Sequence, residues 1–180
     1  MPDYWRRVAV CLCAVLFPVQ RGVLPYLWWE VLTAMATRRI GVVEFDKGIV
    51  RISEDLTIRP GYTFADFKKC RYYRNQDGIR VIYLEERIDI DGRSYAVDFF
   101  FRNGIIYMLS LTCLDRDYTE EDEPQRKKLH DEILREYGID GTAEYYWGIV
   151  SSNYDARGNV SSINLEYRKS TLRGEEGKLC

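Results

Sequence analysis

The side chains with the most chemical potential in this chain are two cysteines, Cys70 and Cys113, and its single histidine, His130. A thiolate nucleophile needs a base beside it, so a Cys–His dyad would require one of these thiols to meet the imidazole. The surrounding pattern argues against it. Alternation along residues 105–113 turns Cys113 toward a core, and Cys70 closes a short helical stretch. His130 borders the apolar stripe of its own helix, where a partly covered rim histidine is expected. The pairs Ser151-Ser152 and Ser161-Ser162 read as strand residues, and no Gly-x-Ser-x-Gly elbow occurs.

Acidic chemistry fares no better. Asp115-Arg116-Asp117-Tyr118-Thr119 begins like an EF-hand loop, but Glu120 takes the glycine position and Arg126 the bidentate glutamate position. The stretch reads as a solvated acidic cap before a helix. Glu85 and Glu86 are neighbours on a strand, so they point to opposite faces and make no glycosidase pair. Glycines are scattered singly through turns, which leaves no phosphate-cradling loop. Nothing in the sequence asks for a metal or a cofactor, and no catalytic motif is present.

Two features suit binding instead. Lys68-Lys69-Cys70-Arg71-Tyr72-Tyr73-Arg74 interleaves cations with aromatics, as a single-stranded nucleic-acid site would. Cations completing a helix end, with tyrosines anchored beneath, explain it equally well. The balance of 26 Lys+Arg against 28 Asp+Glu, a net −2, disfavours nucleic acid. The second feature is aromatic. In the closing hairpin Tyr145, Tyr146, Trp147, Tyr154, Asp155, Arg157 and Tyr167 are the candidate partner-binding residues. Large amphipathic rings on a rigid sheet bury much area at little entropy cost, which favours protein recognition.

These residues need a scaffold, and 180 residues suffice for one domain with its own core. At 46% hydrophobic and 30% charged the composition is that of a soluble globular protein. Five Cys without a C-x-x-C pair announce neither a zinc site nor a closed disulfide framework. The averages conceal a split. Residues 1–34 hold 23 apolar and five charged residues. Arg6-Arg7 followed by Val8 to Phe17 resembles a secretory signal, without a small-x-small cleavage site after it. Gln20 and Arg21 interrupt the run before it reaches a membrane span. A start at Met35 would place the leader upstream of the true protein and make it cytoplasmic; a retained leader would make it envelope- or membrane-associated. The division expected is an apolar leader over 1–38, one domain over 39–169 and a polar tail over 170–180.

Within the body, Val42–Phe45 and Ile49–Ile52 read as a hairpin. Thr63 with Asp66 three residues on starts a short helix to about Cys70, burying Phe64 and Phe67. Ile79–Ile90, Tyr95–Phe101 and Ile105–Cys113 form a meander turned at Asp91-Gly92 and Asn103-Gly104, with Tyr107, Leu109 and Leu111 on one face. Pro124 opens a helix carrying Leu129, Ile133, Leu134 and Tyr137, and Gly138 ends it. Tyr145–Tyr154 and Val160–Arg168 close the chain as a hairpin. The fold class is therefore α+β: a two-layer sandwich with a largely antiparallel sheet of about seven strands and two helices on one face.

The closing segment Trp147 to Gly158, followed by Ser162-Ile163 and Tyr167, resembles the end of small uncharacterised bacterial α+β proteins. Leu56 to Phe67, with Pro60-Gly61 and Thr63-Phe64, resembles their opening. Some of those proteins are similar to immunity proteins, which bind and neutralise a partner toxin without catalysis. The resemblance covers roughly residues 40–168 as a pattern of strands and turns. It implies a non-enzymatic module that recognises a protein partner, such as a toxin, through a sheet face and hairpins. An envelope protein using the leader as signal or anchor is the alternative, and an enzyme the third reading.

Overall fold

A computed structural model describes residues 41–168. The leader, with its three readings, and the tail over 170–180 lie outside the described residues. The chain runs through β1 (Val42–Glu44), β2 (Ile49–Arg51), β3 (Thr57–Ile58) and α1 (Phe64–Phe67). It continues with β4 (Val81–Tyr83), β5 (Ile88–Ile90), β6 (Arg93–Arg102) and β7 (Ile105–Cys113). A 3-10 turn over Glu120–Asp122 leads into α2 (Glu123–Glu136), and β8 (Thr142–Tyr145), β9 (Gly148–Asp155) and β10 (Val160–Tyr167) follow.

The class is α+β, with an antiparallel seven-stranded sheet in the order β4-β6-β7-β10-β9-β8, β5 pairing β6 beside β4. Its turns follow local chemistry. Asp91-Gly92 and Asn103-Gly104 take positive φ at both residues, the twist-matched geometry of two-residue hairpins. Along β6 every second residue from Tyr95 to Phe101 is buried, and Leu109, Leu111 and Cys113 face them across β7. Both helices and the first hairpin pack on that side. Phe67 of α1 lies 5.8 Å from Phe99 and 6.2 Å from Phe101 between ring centroids. Thr63 caps α1, its hydroxyl accepting from the Asp66 N–H at 3.1 Å. Ile133 and Leu134 bring α2 onto β9 and β10. Burying an aromatic or aliphatic side chain of this size contributes about 1.5–3 kcal/mol, so this face supplies most of the folding free energy. Among the described residues no helix is long and apolar enough to cross a membrane.

Several elements differ in detail from their expected form. The first hairpin gains β3 and makes a separate three-stranded sheet. The stretch 79–90 breaks into β4 and β5, both on the same side of β6. A register shift at Phe100/Phe101 sets Ile106 opposite Phe101 and Met108 opposite Phe100, with Tyr107 as the extra residue between. The shift reverses the alternation, so Ile106 is buried and Tyr107 leaves the core face, where simple period-two reading had placed it. The segment Tyr145–Tyr154 is likewise two strands, β8 and β9, because the chain reverses at Tyr146-Trp147. No positive φ marks that turn, and Gly148 closes it where a Cβ would strike the Glu166 carbonyl oxygen; a buried tryptophan holds it.

Candidate protein-binding surface

That tryptophan corrects the first expectation for the site. Trp147 is fully buried, and its Nε1 donates to the carbonyls of Phe45 and Asp46, each at 3.1 Å. Its ring stacks on Tyr145 at 5.7 Å and packs on Tyr167 at 5.3 Å. Tyr167 is also core, its hydroxyl donating to the Gly48 carbonyl at 3.2 Å, and burial pushes its phenol far above the ordinary range. Gly48 sits under the indole with φ +68°, and a Cβ there would lie 2.4 Å from Trp147 Cδ2. Trp147, Tyr167 and the half-buried Tyr145 therefore join the small sheet to the large one; they are not a docking surface. Their aromaticity was legible in the sequence, but their partner, the β1–β2 turn about a hundred positions away, was not.

The other candidates are at the surface but apart. Tyr146 caps the β8–β9 turn and is 73% exposed. Tyr154, Asp155 and Arg157 lie at the opposite end of β9, about 20 Å away at the rise of a strand. There Tyr154 donates its hydroxyl to Asn159 Oδ1 at 2.8 Å, and the Arg157 N–H donates to Asp155 Oδ1 at 2.9 Å. Between these two ends runs the sheet face opposite the helices, on which none of the described elements packs. Across β4, β6, β7, β10 and β9 one row reads Tyr83, Asp98, Ser110, Asn164 and Ser151. The adjacent row reads Val81, Phe100, Met108, Glu166 and Ile149. A polar stripe thus runs beside a largely apolar one, a composition suited to protein contact.

The charges on this face are few. Arg102 lies over the Tyr107 ring at 4.5 Å, and Arg168 pairs with Glu144. Asp98 has no cation or hydrogen-bond donor beside it among the described residues, and burial alone raises its pKa to about 6. Alternation places Asp98 on the face away from the core, but its neighbours Ser110 and Tyr83 depend on strand register, which the sequence does not display.

The catalytic candidates are committed to structure. His130 is completely buried, not a rim residue, because it sits between α2 and the sheet. Its Nε2 accepts from the Cys113 backbone N–H at 3.0 Å, which assigns the proton of the neutral ring to Nδ1. Desolvation, aided by Arg126 and Lys127 against Asp131, lowers its pKa to about 4. Cys113 is buried and its thiol is pushed up by burial, so neither a thiolate nor a free base is on hand. Beside them Glu123 and Arg126, both buried, form an ion pair, and Glu123 Oε2 accepts from the Ser161 N–H at 3.1 Å. This polar mount of α2 on β10 was not visible in sequence, where the same residues read as a solvated helix start.

No family model matches the chain, and no curated protein matches it. A solved structure described as Rhs1-CT in complex with cognate immunity protein RhsI1 contains a similar chain. The identity is 14% and the TM-score 0.49, over 76% of this chain and 91% of that one. At that level the likeness speaks for neither residue roles nor activity.

Proposed function

We infer that this chain is a non-enzymatic protein-binding module of the immunity-protein kind, whose partner docks on the face of the large sheet that no other described element covers. The observation that supports this most directly is that face itself. Phe100, Met108 and Ile149 are partly exposed beside Asp98, Ser110 and Asn164 on a sheet whose other side packs into the core. Strands held by that core lose little freedom when a partner covers them, so the apolar area converts efficiently into affinity. Tyr146 at one end and Asp155 and Arg157 at the other frame the contact, while Tyr154, in register with Ser161, lies on the helix side of β9. The inferred partner class, a toxin, follows the resemblance of the strand and turn pattern over residues 40–168.

The test is co-expression with the polypeptide encoded beside this chain's gene, followed by calorimetry on the purified pair. A stable complex is expected, weakened about 100-fold or more by Met108→Glu, which sets a charge in the middle of the apolar row. Unchanged affinity in a folded M108E variant would place the contact elsewhere. Failure of the two polypeptides to associate would remove the reading.

A further inference from the structure

Among the described residues the large sheet ends in two strands paired on one side only, β8 against β9 and β4 against β6, and β4 is the one with a cleft at its end. Among the described residues β4 pairs with β6 and with no other strand. The Phe101 N–H donates to the Arg80 carbonyl at 2.8 Å, and the Leu84 N–H donates to the Val97 carbonyl at 3.1 Å. In an antiparallel ladder those bonds bracket Ile82–Phe99 as the pair that exchanges both hydrogen bonds. Val81 and Tyr83 then occupy the alternate positions, with their own N–H and C=O groups directed away from β6. Two donors and two acceptors, spaced as in a strand, face outward.

The neighbouring edge is treated differently. Beside β5, Gly41 fills the outer side, donating to the Asp89 carbonyl at 2.7 Å and accepting from the Asp91 N–H at 3.0 Å. Beside β4 no described residue takes that side, and Val81-Ile82-Tyr83 contains no proline, lysine or bulge of the sort that blunts an edge. Ile79 and Tyr83 are 51% and 67% exposed. At the end of β4 a cleft of ≈ 230 Å³ is lined by Tyr72, Arg74, Gln76, Leu84, Glu85 and Glu86. Arg74 is turned back to the Arg71 carbonyl at 3.0 Å and Arg71 pairs with Glu86 at 3.8 Å, which leaves Glu85 as the acid of the cleft with no cation beside it among the described residues.

We propose that β4 is an attachment strand: the protein partner adds an extended segment along it, exchanging main-chain hydrogen bonds with Val81 and Tyr83 and seating a basic side chain in the cleft beside Glu85. Main-chain pairing supplies affinity in this mode, and the seated side chain supplies register. The site deepens the protein-binding reading above and rests on it.

Tyr83→Pro tests the edge. The Tyr83 N–H is not used within the sheet, so proline there removes an outward donor and leaves the β4–β6 bonds in place. With the co-expressed partner, Tyr83→Pro is expected to weaken binding about 30-fold, and Tyr83→Ala, which keeps the donor, about 3-fold. Amide exchange on the unsubstituted complex provides a readout that needs no variant: Val81 and Tyr83 slow on binding. A complex in which both amides exchange as in the free chain overturns the edge proposal and leaves the sheet-face reading standing. Self-association of the free chain that Tyr83→Pro abolishes would make a second copy the occupant and would also overturn it. If no partner binds, the functional reading fails and this proposal with it.

Discussion

Acid should unfasten this protein through one residue, and the size of the effect follows from the burial of His130. Its imidazole would titrate at 6.5 when exposed and titrates at about 4 in the fold, because desolvation and the nearby Arg126 and Lys127 disfavour the cation. Since the folded state binds its proton less well than the unfolded state, the contribution to stability is fully present above pH 6.5. It is lost as pH falls through the interval from 6.5 to about 4. At 1.36 kcal/mol per unit the loss approaches roughly 3 kcal/mol, a large share of a marginal stability. Protonation also turns Nε2 from acceptor to donor against the Cys113 N–H, so the bond at 3.0 Å cannot survive it. The perturbation is His130→Gln, whose amide oxygen can accept from the same N–H without titrating. Urea denaturation of both proteins from pH 7.5 to 4 should show their stability difference shifting against the wild type by roughly 3 kcal/mol. Taking the difference matters, because Asp98 titrates in the same range with the opposite sign. As the chain has one histidine, a single imidazole resonance followed by NMR gives an independent reading. A folded-state titration near 6.5, or a pH-independent difference between the two proteins, would refute the reasoning.

Gly48→Ala should cost about 3 kcal/mol, since the new Cβ meets the Trp147 ring and the backbone is at positive φ; chemical denaturation followed by circular dichroism would show it. Adjacent residues of the closing turn should differ sharply. Trp147→Phe loses two hydrogen bonds and packing, for about 2–3 kcal/mol, whereas Tyr146→Ala should stay within about 0.5 kcal/mol of the parent in the same assay. Glu123→Ala strands Arg126 inside the α2–β10 contact and should cost about 3–5 kcal/mol, while Glu123→Leu with Arg126→Met should recover most of that in thermal melts. Asp98 carries a raised pKa, so its charge costs stability above about pH 6 and the cost disappears as pH falls below 3.8. Asp98→Asn should therefore stabilise the protein by about 1–2 kcal/mol at pH 8 and leave it unchanged at pH 3.5, as read from denaturation midpoints.

What the residues determine locally came through from the sequence alone. The Asp91-Gly92 and Asn103-Gly104 reversals, the Thr63 cap, the Pro124 start and Gly138 end of α2 rest on backbone geometry that a few neighbouring residues dictate. The α+β class follows from the same local periods. Decisions that depend on a distant partner needed the fold. Nothing near Trp147 says that its indole will reach the carbonyls of Phe45 and Asp46, so a ring that reads as a surface anchor is the joint between two sheets. The bulge at Tyr107 reverses which side chains face inward, and only pairing with β6 reveals it. His130 reads as a partly covered rim residue, and Glu123 with Arg126 as a solvated helix start, until β7 and β10 are laid against them. The surface with the functional promise is likewise a product of register: Asp98 meets Ser110, Asn164 and Ser151 only because four strands align them. Turn and capping energies are short-ranged and can be read from a few adjacent residues, whereas burial is a property of position among all the strands, settled only when the whole chain closes.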